Sequence, residues 1–108
     1  MTKHAQVALI AAERIKNGMS PRAAWEQASC EIFTKGSASQ VKGCPKNAFL
    51  GLYAPTANTK NAAYAREALA WLRAHPGCKV TPSALWKIVQ KGENKAYNSQ
   101  MHIVIALY

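Results

Sequence analysis

Cys44 stands directly before a proline in the stretch Lys42-Gly43-Cys44-Pro45-Lys46, with a lysine to either side. Placed before Pro45, it would occupy the cap position of a helix. There the unpaired backbone N–H groups and the positive end of the dipole favour a thiolate, and Lys42 and Lys46 strengthen that field. The same helix start offers an anion site made of Lys42, Cys44 and Lys46. Nucleophilic catalysis also needs a base and an orienting group, and His4, His75 and His102 stand in no recognisable relation to Cys44. The surroundings therefore favour a small, mostly buried thiol at a tight turn, with Cys30 and Cys78 in or near the core.

The second constellation is Lys79, Lys87, Lys91 and Lys95, offset locally only by Glu93. Lys87 and Lys91 are four apart and so share one helix face. Such a face suits a polyanion, either nucleic acid or an acidic protein, although a solvated lysine face is the more ordinary use of the pattern. Acid/base chemistry lacks its usual residues, because the five acidic residues are scattered glutamates and aspartate is missing. Glycosidase, nuclease and aspartyl chemistries are disfavoured accordingly. Cysteine and histidine spacing gives no metal site, and nothing in the pattern calls for a cofactor. In the loop at 36–43 Lys42 precedes Gly43 and no strand comes first, so a phosphate-binding loop of the Walker kind is excluded. A helix-turn-helix over 23–42 is disfavoured by its long connection and poor second helix. A binding protein is expected rather than an enzyme.

Charge is the compositional extreme, with 14 Lys and Arg against five Glu and a formal net charge of +9. The bases are spread, seven in residues 1–54 and seven in 55–108, so no basic tail is formed. Sign alone supports non-specific affinity for polyanions. The three cysteines, an odd number without Cys-x-x-Cys spacing, suggest neither a disulfide framework nor a zinc ribbon, and fit a reducing cytoplasm. Glu13, Arg14 and Lys16 interrupt the first apolar run too early for a signal peptide, and no apolar run is long enough to cross a bilayer. With 108 residues, 49% of them hydrophobic, the chain is sized for one domain, 1–108, with a core that needs neither disulfides nor metal.

The elements that must carry these residues read as helices. Apolar spacing predicts helices over 3–17, 21–34, a short one opened by Pro45, roughly 60–75, one from Pro82 closed by Gly92, and a last one capped by Asn98 or Ser99. Ser20-Pro21 and Thr81-Pro82 are hydroxyl caps followed by proline at the first helical position. Ser37 and Gln40 have capping-box spacing within the connection that follows the second helix. Trp25 and Trp86 are expected as core anchors, with Phe33, Phe49 and Trp71 filling the remainder, while Arg66 and Arg73 face out.

"SPRAAW" at 20–25 and "TPSALW" at 81–86 share one pattern, and "FLGLY" at 49–53 echoes "VIALY" at 104–108. Two related three-helix halves, 1–53 and 60–108, are the inference, within a compact all-α bundle of about six helices. Taken with "SPRAAWEQAS" and "NSQMHIVIALY", the stretch "GCPKNAFLGLY" resembles a family of short uncharacterised bacterial proteins, some of them encoded on integron gene cassettes. The resemblance implies an all-helical fold and no established activity. The expected role is an accessory binding module for a macromolecular partner, with nucleic-acid binding and Cys44-centred anion or thiol chemistry as the alternatives.

Overall fold

The structure is a computed structural model that describes residues 1–93 and 95–108. Six helices account for its regular structure, and there is no strand among the described residues: α1 (Lys3–Lys16), α2 (Pro21–Ile32), α3 (Gly43–Tyr53), α4 (Lys60–Ala74), α5 (Pro82–Gln90) and α6 (Gln100–Leu107). Four of them start as the sequence dictates. The hydroxyls of Thr2, Ser20, Thr59 and Thr81 each accept from the backbone N–H three residues on, at 3.2, 3.4, 3.1 and 3.1 Å. Each such cap is worth about 1 kcal/mol.

The closing helices α3 and α6 have no side-chain cap of this kind. A buried glutamine anchors the chain before each. Gln40 donates to the Ser29 hydroxyl (2.9 Å) and accepts from the Gly36 N–H (3.0 Å), which fixes the 34–42 connection against α2. Gln100 donates to Asn61 Oδ1 (3.1 Å) and accepts from the Asn98 N–H, tying the start of α6 to α4. A buried amide is tolerable only when so satisfied. The Gln40 N–H also bonds to the Ser37 hydroxyl, as the capping-box spacing predicts.

Two apolar clusters form, and they largely follow the two halves. One gathers Val7, Ala8, Ala11, Ala24, Trp25, Ala28, Phe49 and Leu50; the other gathers Tyr64, Ala65, Ala68, Leu72, Leu85, Trp86, Val89, Met101 and Val104. Each closing helix lends a residue to the opposite cluster, Ala48 from α3 and Ile103 from α6, so neither half is a separate unit. A Cα radius of gyration of 13.1 Å is what one compact domain of this length requires. α6, apolar on nearly every side, is gripped by α1, α3, α4 and α5.

α3 packs against α4 rather than only closing its own half. Gly51 makes this contact: a Cβ there would lie 2.5 Å from the Ala62 carbonyl oxygen and 2.6 Å from its Cα. Arg66 reinforces it by donating to the carbonyls of Gly51 and Ala54, both at 2.9 Å, where α3 runs out of intrahelical partners. Arg66 therefore does not face out as the helical spacing predicts.

Trp25 and Trp86 are core anchors, at 1% and 6% exposure. Phe49 is fully buried as expected, whereas Phe33 and Trp71 pack against the two clusters while only partly buried. α2 stops at Ile32, and Phe33 turns out of it to lie half-buried against the His4 ring, 4.7 Å between centroids. Trp71 is only half-buried at the outer edge of α4. No helix among the described residues is long and apolar enough to cross a membrane.

Candidate functional site

One face of α4 carries Lys60, Tyr64, Glu67 and Trp71 at spacings of three and four, and His75, the cap residue just past its end, continues the row. Three hollows lie end to end along it. The first, of ≈ 230 Å³, is bounded by Cys44, Lys60, Asn61, Tyr64, Lys95 and Asn98. The second, of ≈ 200 Å³, shares Lys60 and Tyr64 with the first and adds Glu67, Lys91 and Glu93. The third, of ≈ 420 Å³, shares Glu67 and Lys91 with the second and runs past Ala70, Trp71, Ala74 and His75 opposite Ile88. Together they make a groove about 22 Å long at the helical rise of 1.5 Å per residue.

The groove changes character along its length. At its centre the carboxylates are already committed. Glu67 lies 3.7 Å from Lys91, and Glu93 lies 3.8 Å from Lys60 while accepting from the Tyr64 hydroxyl at 2.9 Å. The Tyr64 hydrogen bond, with Lys60 next, holds the Glu93 carboxyl below the usual carboxylate range. Lys79, Lys87 and Lys95 are exposed and have no carboxylate partner among the described residues. At the far end the Trp71 and His75 rings stack 4.1 Å apart and 19° from parallel, with His75 Nδ1 bonded to the Trp71 carbonyl at 2.8 Å. Ile88, 39% exposed, forms the opposite wall.

Of the residues marked by sequence, Lys91 and Lys95 line this groove and Lys87 lies on the exposed side of α5 next to Ile88. Lys79 lies outside the lining, exposed in the connection that leads into α5. Lys91 ends α5 in the left-handed region, at φ 50°, directly before Gly92 at φ 81°. Its side chain is thereby set off from the helix it terminates.

Cys44 is placed differently from expectation. α3 begins at Gly43 with Lys42 as its cap residue, so Cys44 is the second helical residue and not the cap. It is half-buried, and the lysines that share its hollow are Lys60 and Lys95, not the flanking Lys42 and Lys46. Lys42 instead acts on His4: burial, and after it the charge of Lys42, lower the His4 pKa against the opposing bond to the Ser39 carbonyl. Cys30 is half-buried, but Cys78 is exposed and so does not lie in or near the core as expected. The cause is local, because Cys78 follows the turn at Gly77 beyond the end of α4.

Sequence reasoning missed Trp71, His75, Ile88 and Tyr97 as surface features. Tyr97 packs on Trp86, 5.5 Å between centroids, and its hydroxyl accepts from the His102 backbone N–H at 3.1 Å while bonding to His102 Nδ1. A tyrosine five residues upstream thus supplies the cap that Ser99 does not. A further hollow, lined by Leu52, Tyr53, Leu69, Arg73, Leu107 and Tyr108, carries a single cation and no cluster of reactive groups.

The chain belongs to a family of unknown function, DUF6979, whose family model matches residues 1–108. No curated protein and no solved structure matches it.

Proposed function

We propose that this member of DUF6979 is a small helical accessory module that binds an anionic macromolecular partner along the α4–α5 groove. One observation carries the reading. On this side of a chain with net charge +9, four lysines (60, 87, 91 and 95) stand against two glutamates, and both glutamates are already paired. The remaining positive charge borders a groove with apolar and aromatic walls. Charge of that sign draws an acidic partner in and fixes its orientation, and the apolar walls add contact area once it has arrived.

Support for a reducing cytoplasm comes from the three unbridged cysteines, of which Cys78 is exposed. The bacterial and integron association rests on the resemblance of the 43–53 stretch. Tryptophan emission tests the reading, because Trp71 is half-buried while Trp25 and Trp86 are buried. Added heparin should shift that emission at low salt and lose its effect as salt rises. Lys87→Glu with Lys91→Glu should weaken the effect about tenfold or more. An emission change that ignores both salt and these substitutions would remove the groove from the function.

A second reading concerns Cys44, half-buried in one hollow with Lys60 and Lys95. If thiol chemistry resides there, Cys44 alkylates faster at neutral pH than the more exposed Cys78. Alkylation of Cys44 only after denaturation would end that reading.

A further inference from the structure

Resting on the groove reading above, we infer that the third hollow is the docking site for an acidic amphipathic helix, with an apolar side chain of the partner seated between Trp71 and Ile88. Ala70 and Ala74 are small and four apart, so α4 presents a shallow trough there, walled by Trp71 and His75 on one side and Ile88 on the other. Its ≈ 420 Å³ accommodates a large apolar side chain with a smaller neighbour. An amphipathic helix supplies that pair at positions i and i+3 or i+4.

Charge complementarity selects the sign of the partner. Lys87 directly precedes Ile88 and Lys91 follows three residues later, so the apolar wall has lysines to both sides. Acidic residues flanking the partner's apolar pair would meet Lys87 and compete with Glu67 for Lys91. Single-stranded nucleic acid fits less well. One face of the Trp71 ring is already covered by His75, which removes the open platform that base stacking requires.

Selection from a random library of peptides of about twelve residues, enough for three helical turns, tests this on the full chain. Enriched peptides should carry an excess of Asp and Glu around two apolar residues three or four apart. Ile88→Glu should weaken them about tenfold or more, and Ile88→Ala less. Ile88 is 39% exposed, so both variants should retain their helical circular dichroism. No enrichment, or binding indifferent to Ile88, overturns the inference. Binding of a single-stranded oligonucleotide that depends on Lys87 and Lys91 but not on Ile88, without peptide enrichment, overturns it while leaving the broader anionic-partner reading intact. Failure of heparin to respond to Lys87 and Lys91 would strike that broader reading instead.

Discussion

Trp25 and Trp86 are each the fifth residue of a helix that a hydroxyl side chain caps and a proline opens, yet their surroundings diverge. Trp25 lies against Phe49, 5.1 Å between centroids, and is sealed by the small residues of α1 and α2; its Nε1 has no hydrogen-bond partner among the described residues. Trp86 meets the edge of Tyr64 at 5.2 Å and then Tyr97, so a chain of aromatic rings leads from the core to the surface. One helix start thus serves two ends. The first half closes over its tryptophan, whereas the second uses its own to brace the wall of a groove. A shared local signal fixes where a helix begins, and the neighbours it meets decide whether that helix makes core or surface.

The largest expected difference is in stability. Trp25→Ala should cost about 4 kcal/mol and Trp86→Ala about 1 kcal/mol less, because Trp86 borders the partly exposed Tyr97 and is itself slightly exposed, whereas Trp25 is sealed on every side. Chemical denaturation of both variants checks this, and equal losses would erase the distinction between the halves. Gly51→Ala comes next, at about 2 kcal/mol, since the new Cβ meets α4 backbone that cannot rotate away. Loss of cooperativity between the halves in the same experiment would sharpen the view that α3 joins them. Ser20→Ala and Thr81→Ala should each cost about 1 kcal/mol, since both remove the same cap bond. A pronounced inequality would mean that the two starts are alike in sequence only.

The smallest effect is on pH dependence. Burial lowers the pKa of His4 in the first half and of His102 in the second below their ordinary value of 6.5. The unfolded chain then takes up protons before the folded one. This contribution to stability is full above about 6.5 and declines as pH falls through the lowered folded values. Thermal melts from pH 7 to 5 should show the decline, and His4→Gln should remove the first-half share alone.

Much of the fold was legible because its signals are local. Ser20-Pro21, Thr81-Pro82 and the apolar spacing of each helix need no knowledge of neighbours. The groove was not, because it depends on which face of α4 meets α5 and the 95–98 segment. Trp71 has the helical spacing of a core residue and does pack against the second cluster, but its other side faces the hollow across from Ile88 and Lys91, which the spacing within α4 does not reveal. Cys44 shows the same limit. Its neighbours Lys60 and Lys95 are remote in sequence, whereas the adjacent Lys42 and Lys46 do not line its hollow. The lysine set at 79–95 was found by charge alone, while its pairing with Glu67 was invisible without the register of two helices.

Two charge-reversed pairs compared on immobilised heparin put the division between the halves to its most direct test. Lys87→Glu with Lys95→Glu alters the groove side, and Lys3→Glu with Lys35→Glu makes the same change of net charge on exposed lysines of the first half. The groove-side pair should elute at clearly lower salt than the unaltered chain, and the first-half pair close to it. Equal losses from both would contradict the account, because the affinity would then belong to net charge and not to the groove.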